Sequence, residues 1–302
     1  SAGAPIGSAV LVIVIPVIWV GLEYLRGVLF TGFPWNLAGV SQFRNLVIIQ
    51  GAEWGGVYAV SALLLMFNSA FATTSLRLVD TFRGGRQPMM ARMDMLAVIL
   101  IFALYWVQSS RALQKTRRSM FEAATVRLAA IQPDIPQMDK WSQEVEDQIY
   151  ERIRAQTELA LAAKPDLIIW PETSVPRPLK SDPVAAAFVT SLAANGVPLL
   201  VGALEEEDPL DPYGNLYNDS FLIDSGGVIV DVYRKIHLVP FGEYLPFDSV
   251  MPSIKKLAPL GFTCAAGTRN TVFHLKRPAV RFSALICFED IFASLSRTAV
   301  RE

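Results

Sequence analysis

The chain has 302 residues with 27 Lys+Arg against 28 Asp+Glu, a net charge of −1 that offers no basic field for nucleic acid. Hydrophobic residues make up 52% and charged residues only 18%, against about 25% charged in an ordinary soluble domain. Together with a mean hydropathy of +0.35, this excludes a disordered chain, a disulfide scaffold or a collagen-like repeat, and it points away from a cytosolic globule.

The charge is unevenly spread. Residues 1–76 carry only Glu23, Arg26, Arg44 and Glu53, so lipid is expected as the solvent of this part and water as the solvent of the remainder. Residues 1–22 and 54–76 are uncharged, and each is long enough to cross a hydrocarbon core, which takes about 20 apolar residues. A third stretch, 95–110, has a dense apolar run only over 95–107, short enough to be either a tilted span or a buried helix. The first stretch lacks an initiator Met, a basic n-region and a small-residue cleavage site, so it reads as a span of a longer chain rather than a signal peptide. Sidedness stays open: Arg77, Arg83, Arg86 and Arg92 on one side of span three balance Arg111, Lys115, Arg117 and Arg118 on the other. A membrane region over 1–118 is thus expected, followed by a catalytic domain over 119–302.

Beyond residue 125 the pattern becomes that of an α/β domain. Residues 126–131 and 167–170 read as short buried strands. Between them, 142–163 places Val145, Ile149, Ile153, Ala160 and Ala163 on one helical face. Residues 183–195 read as a helix stopped by Gly196. Strands are expected over 199–204, 221–224, 228–233, 271–275 and 280–286, with a hairpin turn at Ser225-Gly226-Gly227. Strand–helix alternation followed by strands in series predicts a mixed α/β sheet.

Three reactive side chains close these apolar runs. Glu172 in Trp170-Pro171-Glu172 sits at the rim where α/β folds bind ligands, and partial burial beside Trp170 would make it a proton acceptor. Lys235 follows the strand ending at Tyr233 and can place an ammonium where an oxyanion develops. Cys287 follows the 280–286 run as a candidate thiolate nucleophile. Each alone is also compatible with a plain role: a solvated loop glutamate, a solvated lysine, a core cysteine. Jointly they make a base, an electrophilic stabiliser and a nucleophile for acyl transfer through a thioester. His237 is more simply a hydrogen-bonded structural histidine than a base. Cys264 lies in a loop without acid or base motifs, and a Cys264–Cys287 disulfide would block the nucleophile. No metal-ligand spacing and no Gly-rich phosphate loop occur, so neither metal nor cofactor is expected.

The Trp170-Pro171-Glu172 motif, Lys235 in its Arg-Lys-Ile-His-Leu-Val-Pro-Phe-Gly-Glu run, and Cys287-Phe288-Glu289 resemble the Glu–Lys–Cys triad of the nitrilase (carbon–nitrogen hydrolase) superfamily. Glu23-Tyr24-Leu25-Arg26-Gly27, Thr31-Gly32-Phe33-Pro34-Trp35, Gln132-Pro133-Asp134-Ile135-Pro136-Gln137 and Lys140-Trp141 are similar to the bacterial apolipoprotein N-acyltransferases within it. The resemblance implies membrane helices followed by a nitrilase-like α/β-β/α sandwich, incomplete at the C-terminus, on the periplasmic side of the bacterial inner membrane. It implies a monomer that moves a phospholipid acyl chain to the N-terminal amine of a diacylglyceryl lipoprotein. Glu172, Lys235 and Cys287 match the catalytic trio, Glu243 and Glu289 supporting carboxylates, and Trp141, Tyr233 and Phe288 substrate-binding positions; Phe288 stands where a tyrosine is usual. Two rival readings remain: a membrane-tethered amidase that hydrolyses its thioester, and an inactive truncated membrane module.

Overall fold

The computed structural model describes residues 6–85, 93–136, 140, 144–208, 210–211, 214–246 and 263–301. The chain divides into two compact units, Ser1–Ala124 and Thr125–Glu302.

The first unit is helical: α1 (Ile6–Val28), α2 (Ala52–Phe82) and α3 (Met93–Glu122). These helices contain three stretches long and apolar enough to cross a membrane, Val10–Thr31, Ile48–Phe82 and Met95–Glu122. Ile13, Val17, Leu22, Phe71 and Leu100 are exposed on their surfaces, as expected where hydrocarbon replaces water. Helix α1 continues past Leu22, where its first charge would have ended an uncharged span. One carboxylate oxygen of that charge is held locally: Glu23 Oε1 accepts from Trp19 Nε1 at 3.0 Å and from Ala38 N at 2.7 Å. Arg26 donates to the Trp35 carbonyl at 2.7 Å, so both charges of this helix are spent on folding the following turn back onto it. Helix α2 breaks at Gly55-Gly56, where Gly56 takes a φ of 63°, a conformation open to glycine at little cost.

In the second unit, β1 (Leu128–Ala130), β2 (Leu167–Ile169), β3 (Leu199–Glu206), β4 (Leu216–Ile223) and β5 (Ile229–Arg234) form one sheet in that spatial order. The first three strands run parallel, joined by α4 (Glu146–Leu161) and α5 (Pro183–Ala193), whereas β4 runs antiparallel to both β3 and β5. Strands β6 (Phe273–Lys276) and β7 (Ala279–Phe282) make a separate hairpin. Alternation along the strands divides the core. Ile168, Leu199, Val201 and Ala203 point to a cluster with Ile149, Ile153 and Phe188 of the helices. Leu167, Leu200 and Leu222 point to a second cluster with Phe273 and Leu275 of the hairpin. Burial of β2 and β3 on both faces explains why these strands read as continuous apolar runs.

Two expected strands differ most in extent. Strand β4 begins at Leu216, five residues before the apolar run predicts. Its Asn218-Asp219-Ser220 segment is polar but lies between β3 and β5, and all three residues are buried. Strand β7 ends at Phe282, and residues 283–286 are not in a strand. Ala284 and Ile286 are apolar because they pack on the second core cluster, so burial rather than strand pairing accounts for that run.

The turn after β2 presses on the centre of β3. A Cβ at Gly202 would lie 2.4 Å from the Pro171 carbonyl oxygen and 2.8 Å from Glu172 Cα, distances that backbone atoms do not tolerate. Gly202→Ala is therefore expected to destabilise the protein by about 1–3 kcal/mol, the range for forced overpacking, measurable as a lower thermal midpoint. Asp219 is 0% exposed, and neither carboxylate oxygen accepts a hydrogen bond, although Arg234 Nε lies 3.6 Å away. Burial outweighs that cation and pushes the Asp219 pKa up to about 7. Because the folded state holds this proton more tightly than the unfolded chain, the associated stability is complete below the ordinary aspartate range and is lost as pH rises through about 7. Melting curves between pH 5 and pH 8 should show that loss, and Asp219→Asn should flatten it.

Candidate active site

Glu172, Lys235 and Cys287 come together from three separate chain segments. Glu172 lies three residues beyond β2 in the turn that packs on Gly202, anchored there by Ser174, whose N and Oγ donate to the Gly202 carbonyl at 2.8 and 3.0 Å. Lys235 directly follows β5, and its backbone N donates to the Asn218 carbonyl of β4 at 2.9 Å. Cys287 opens a short 3₁₀ turn, Cys287–Ile291, in a left-handed conformation with φ 52°. Its presentation therefore comes from that turn and not from the end of a strand.

The centre of the site is the Lys235 ammonium, on a side chain only 1% exposed. Nζ donates to Glu243 Oε1 at 2.9 Å and to Glu172 Oε1 at 3.2 Å. Asn218, a buried residue of β4, binds the same two oxygens through Nδ2, at 2.6 Å to Glu172 and 3.1 Å to Glu243. Glu243 is fixed from behind by Val239 N, which donates to Oε2 at 2.8 Å. Burial alone would lower the Lys235 pKa, but the two carboxylates outweigh it and hold it above the ordinary lysine value. Lys235 is thus a permanent cation at neutral pH.

Cys287 is exposed. Desolvation by the surrounding protein, followed by the charge of Glu172 and a side-chain hydrogen bond with it, raises the thiol pKa, while Lys235 pulls it down. The resting state is a neutral thiol beside a carboxylate, an arrangement in which proton transfer to Glu172 generates the thiolate only as it reacts. Cys264 is different. It is buried, and burial together with the nearby Glu243 charge pushes its thiol up to about 12.

Glu289 is 0% exposed, and every hydrogen bond it accepts is structural. Its Oε1 accepts from Tyr233 OH and Ile236 N, both at 2.8 Å, and from His237 N at 2.9 Å, while Oε2 accepts from Ile286 N at 2.8 Å. One carboxylate thereby ties the Lys235 segment to the turn that presents Cys287. Tyr233, expected at a substrate entrance, is instead 2% exposed within the second core cluster, with its hydroxyl on Glu289. Burial and then the Glu289 charge raise its pKa, so it stays a neutral donor. Phe288 is half-buried against Phe292 and His237, at ring-centroid separations of 5.2 and 5.9 Å. His237 packs its ring 3.8 Å from that of Phe292. Trp141 lies outside the described residues. Among the described residues, no group of three or more His, Cys, Asp or Glu side chains is arranged to hold a metal ion.

Sequence reasoning missed Asn218. An asparagine inside a strand gives no chemical signal by itself. Its only cue was position: a polar residue just ahead of an apolar run that pairs with the strand preceding Lys235.

Residues 3–70 match the apolipoprotein N-acyltransferase N-terminal domain, and residues 127–302 match the carbon–nitrogen hydrolase family. The apolipoprotein N-acyltransferase of Geobacter metallireducens is 34% identical over 298 residues, covering 96% of this chain and 54% of that protein. The one from Sinorhizobium fredii is 35% identical over 283 residues, covering 90% and 50%. The chain spans about half the length of these curated relatives. Among solved structures, Saccharomyces cerevisiae Nit3, a member of branch 10 of the nitrilase superfamily, aligns with a TM-score of 0.38 and 21% identity over 58% of each chain. With more than half of its length matched to that family's model, the chain belongs to the carbon–nitrogen hydrolase family.

Proposed function

We propose that this protein is an apolipoprotein N-acyltransferase, moving an acyl chain from a membrane phospholipid to the N-terminal amine of a diacylglyceryl-cysteine lipoprotein by way of a Cys287 thioester. The observation that carries the reading is the Lys235 ammonium held between Glu172 and Glu243, near enough to Cys287 that the charges of Glu172 and Lys235 both act on its thiol. The match of residues 3–70 to the N-acyltransferase N-terminal domain supports transfer over hydrolysis. So do the apolar helices, because an ester donor dissolved in a bilayer requires an enzyme held there.

The chemistry follows from the roles. Glu172 takes the proton of Cys287 as the sulfur attacks the ester carbonyl carbon of the phospholipid. The carbonyl oxygen gains the negative charge. Lys235 has three N–H donors, of which two serve Glu172 and Glu243, leaving the third for this oxyanion. Collapse breaks the carbon–oxygen bond, and Glu172 returns its proton to the departing lysophospholipid oxygen. In the second half the lipoprotein amine attacks the thioester carbon, Glu172 accepts a proton from the nitrogen, and the leaving sulfur is reprotonated. Glu243 and Asn218 hold Lys235 and Glu172 in register throughout, and Glu289 keeps Cys287 beside them. The donor is a phospholipid, the acceptor a lipoprotein, and no cofactor enters either step. In this reading the second unit acts as a monomer on the periplasmic side of the inner membrane.

The test supplies the membrane-embedded protein with acyl-labelled phospholipid and a diacylglyceryl peptide. N-acylated peptide is the expected product; free fatty acid without N-acyl peptide would instead identify an amidase-type hydrolase, and no turnover an inactive module. Cys287→Ala should abolish product, whereas Cys264→Ala should leave turnover close to wild type. Lys235→Met should lower kcat by at least about 10²–10³, the loss attached to removing one oxyanion donor. Loss of turnover in Cys264→Ala with activity retained in Cys287→Ala would reverse the nucleophile assignment.

A further inference from the structure

The turn carrying Glu172 is held on two sides. From β3, the Gly202 carbonyl receives Ser174 N and Oγ, and Val175 bridges to Ala203. From elsewhere in the chain, Lys140 extends its ammonium to the backbone carbonyl of Glu172 and to Thr173 Oγ1, both at 3.2 Å. These two acceptors flank the Glu172–Thr173 linkage, where Thr173 takes a φ of 47°. Left-handed backbone is uncommon for any residue with a side chain and least suited to a β-branched one. Lys140 is half-buried and, together with Pro171, Thr173 and Ser174, lines a cavity of about 170 Å³ beside the turn. A full positive charge is therefore committed to two neutral oxygens adjacent to the carboxylate that abuts the nucleophile.

We infer that Lys140 is a positioning residue for Glu172: by holding the peptide that follows the carboxylate, it sets the direction from which Glu172 meets the Cys287 thiol and Lys235. The inference rests on Glu172 being the base in the proposed reaction. The β3 contacts keep the turn folded without Lys140, so what its ammonium adds is alignment. Alignment is felt in the chemical step, whereas substrate affinity and global stability rest on other contacts. A base displaced by about 1 Å costs on the order of 10²-fold in rate.

The experiment uses Lys140→Met, Lys140→Arg and Thr173→Val in the membrane-embedded protein and measures single-turnover acylation of Cys287 from phospholipid, KM for phospholipid, and the thermal midpoint. Lys140→Met should slow acylation on the order of 10–100-fold, with KM changed by less than about twofold and an unaltered midpoint. Lys140→Arg, which keeps charge and donors, should recover most of the rate. Thr173→Val should slow acylation less than Lys140→Met and add nothing in the double variant, since it removes only one of the two contacts that Lys140→Met already removes. Wild-type acylation by Lys140→Met would overturn the inference. So would equal losses in the Met and Arg variants, a rise in KM with unchanged acylation, or a rate loss that only tracks a lowered midpoint. If the wild-type protein forms no thioester, the proposed function fails with it; if it does and Lys140→Met matches it, only the role of Lys140 is lost.

Discussion

A lysine ammonium withdrawn from water is stable only when opposite charge reaches it, and Lys235 shows how much structure that requirement organises. With 1% of its side chain exposed, it lies between Glu172 and Glu243, and removing one partner of such a buried pair leaves an uncompensated charge worth about 3–5 kcal/mol. To bring two carboxylates there, the turn after β2 must close on Gly202, the 239–243 turn must fold back through Val239 N, and β4 must place Asn218 between both acids. The antiparallel register of β4 and β5 then delivers Lys235 beside Asn218. Electrostatic satisfaction and site assembly are the same event.

The same requirement defines what the site can do. Desolvation first, and the Glu172 charge second, raise the Cys287 thiol against the pull of Lys235, so the thiol is protonated at rest. In the proposed reaction the thiolate then forms by proton transfer at the moment of attack and is not a standing one, which would be exposed to oxidation. Glu289 supplies the mechanical counterpart, joining Tyr233, Ile236, His237 and Ile286 through one buried carboxylate. In the proposed chemistry the labour is divided: Glu172 and Lys235 serve the Cys287 thiol, and a second set of groups fixes the turn that carries it relative to the Lys235 segment.

The parts legible in the sequence were those where burial and chemistry coincide. Strands β2 and β3 are apolar because both faces of the sheet are covered there, and a reactive group following such a run stands out at once. The first turn of β4 was hidden because Asn218, Asp219 and Ser220 are buried by pairing and by charge contacts rather than by apolar side chains. The run before Cys287 misled in the opposite direction, since Ile286 is apolar for packing and not for strand formation. Helix α1 likewise outran its uncharged stretch because Glu23 and Arg26 find partners in the adjoining turn. Tyr233 could not be placed from its neighbours, because only the third dimension shows Glu289 waiting for its hydroxyl.

The most direct measurement is mass spectrometry of the membrane-embedded protein after exposure to phospholipid in the absence of any acceptor amine. A peptide containing Cys287 should gain the mass of one acyl chain, and the adduct should disappear, with stoichiometric N-acylation, when a diacylglyceryl peptide is added. Product formation without an adduct on that cysteine, or with the adduct on Cys264, would contradict the account.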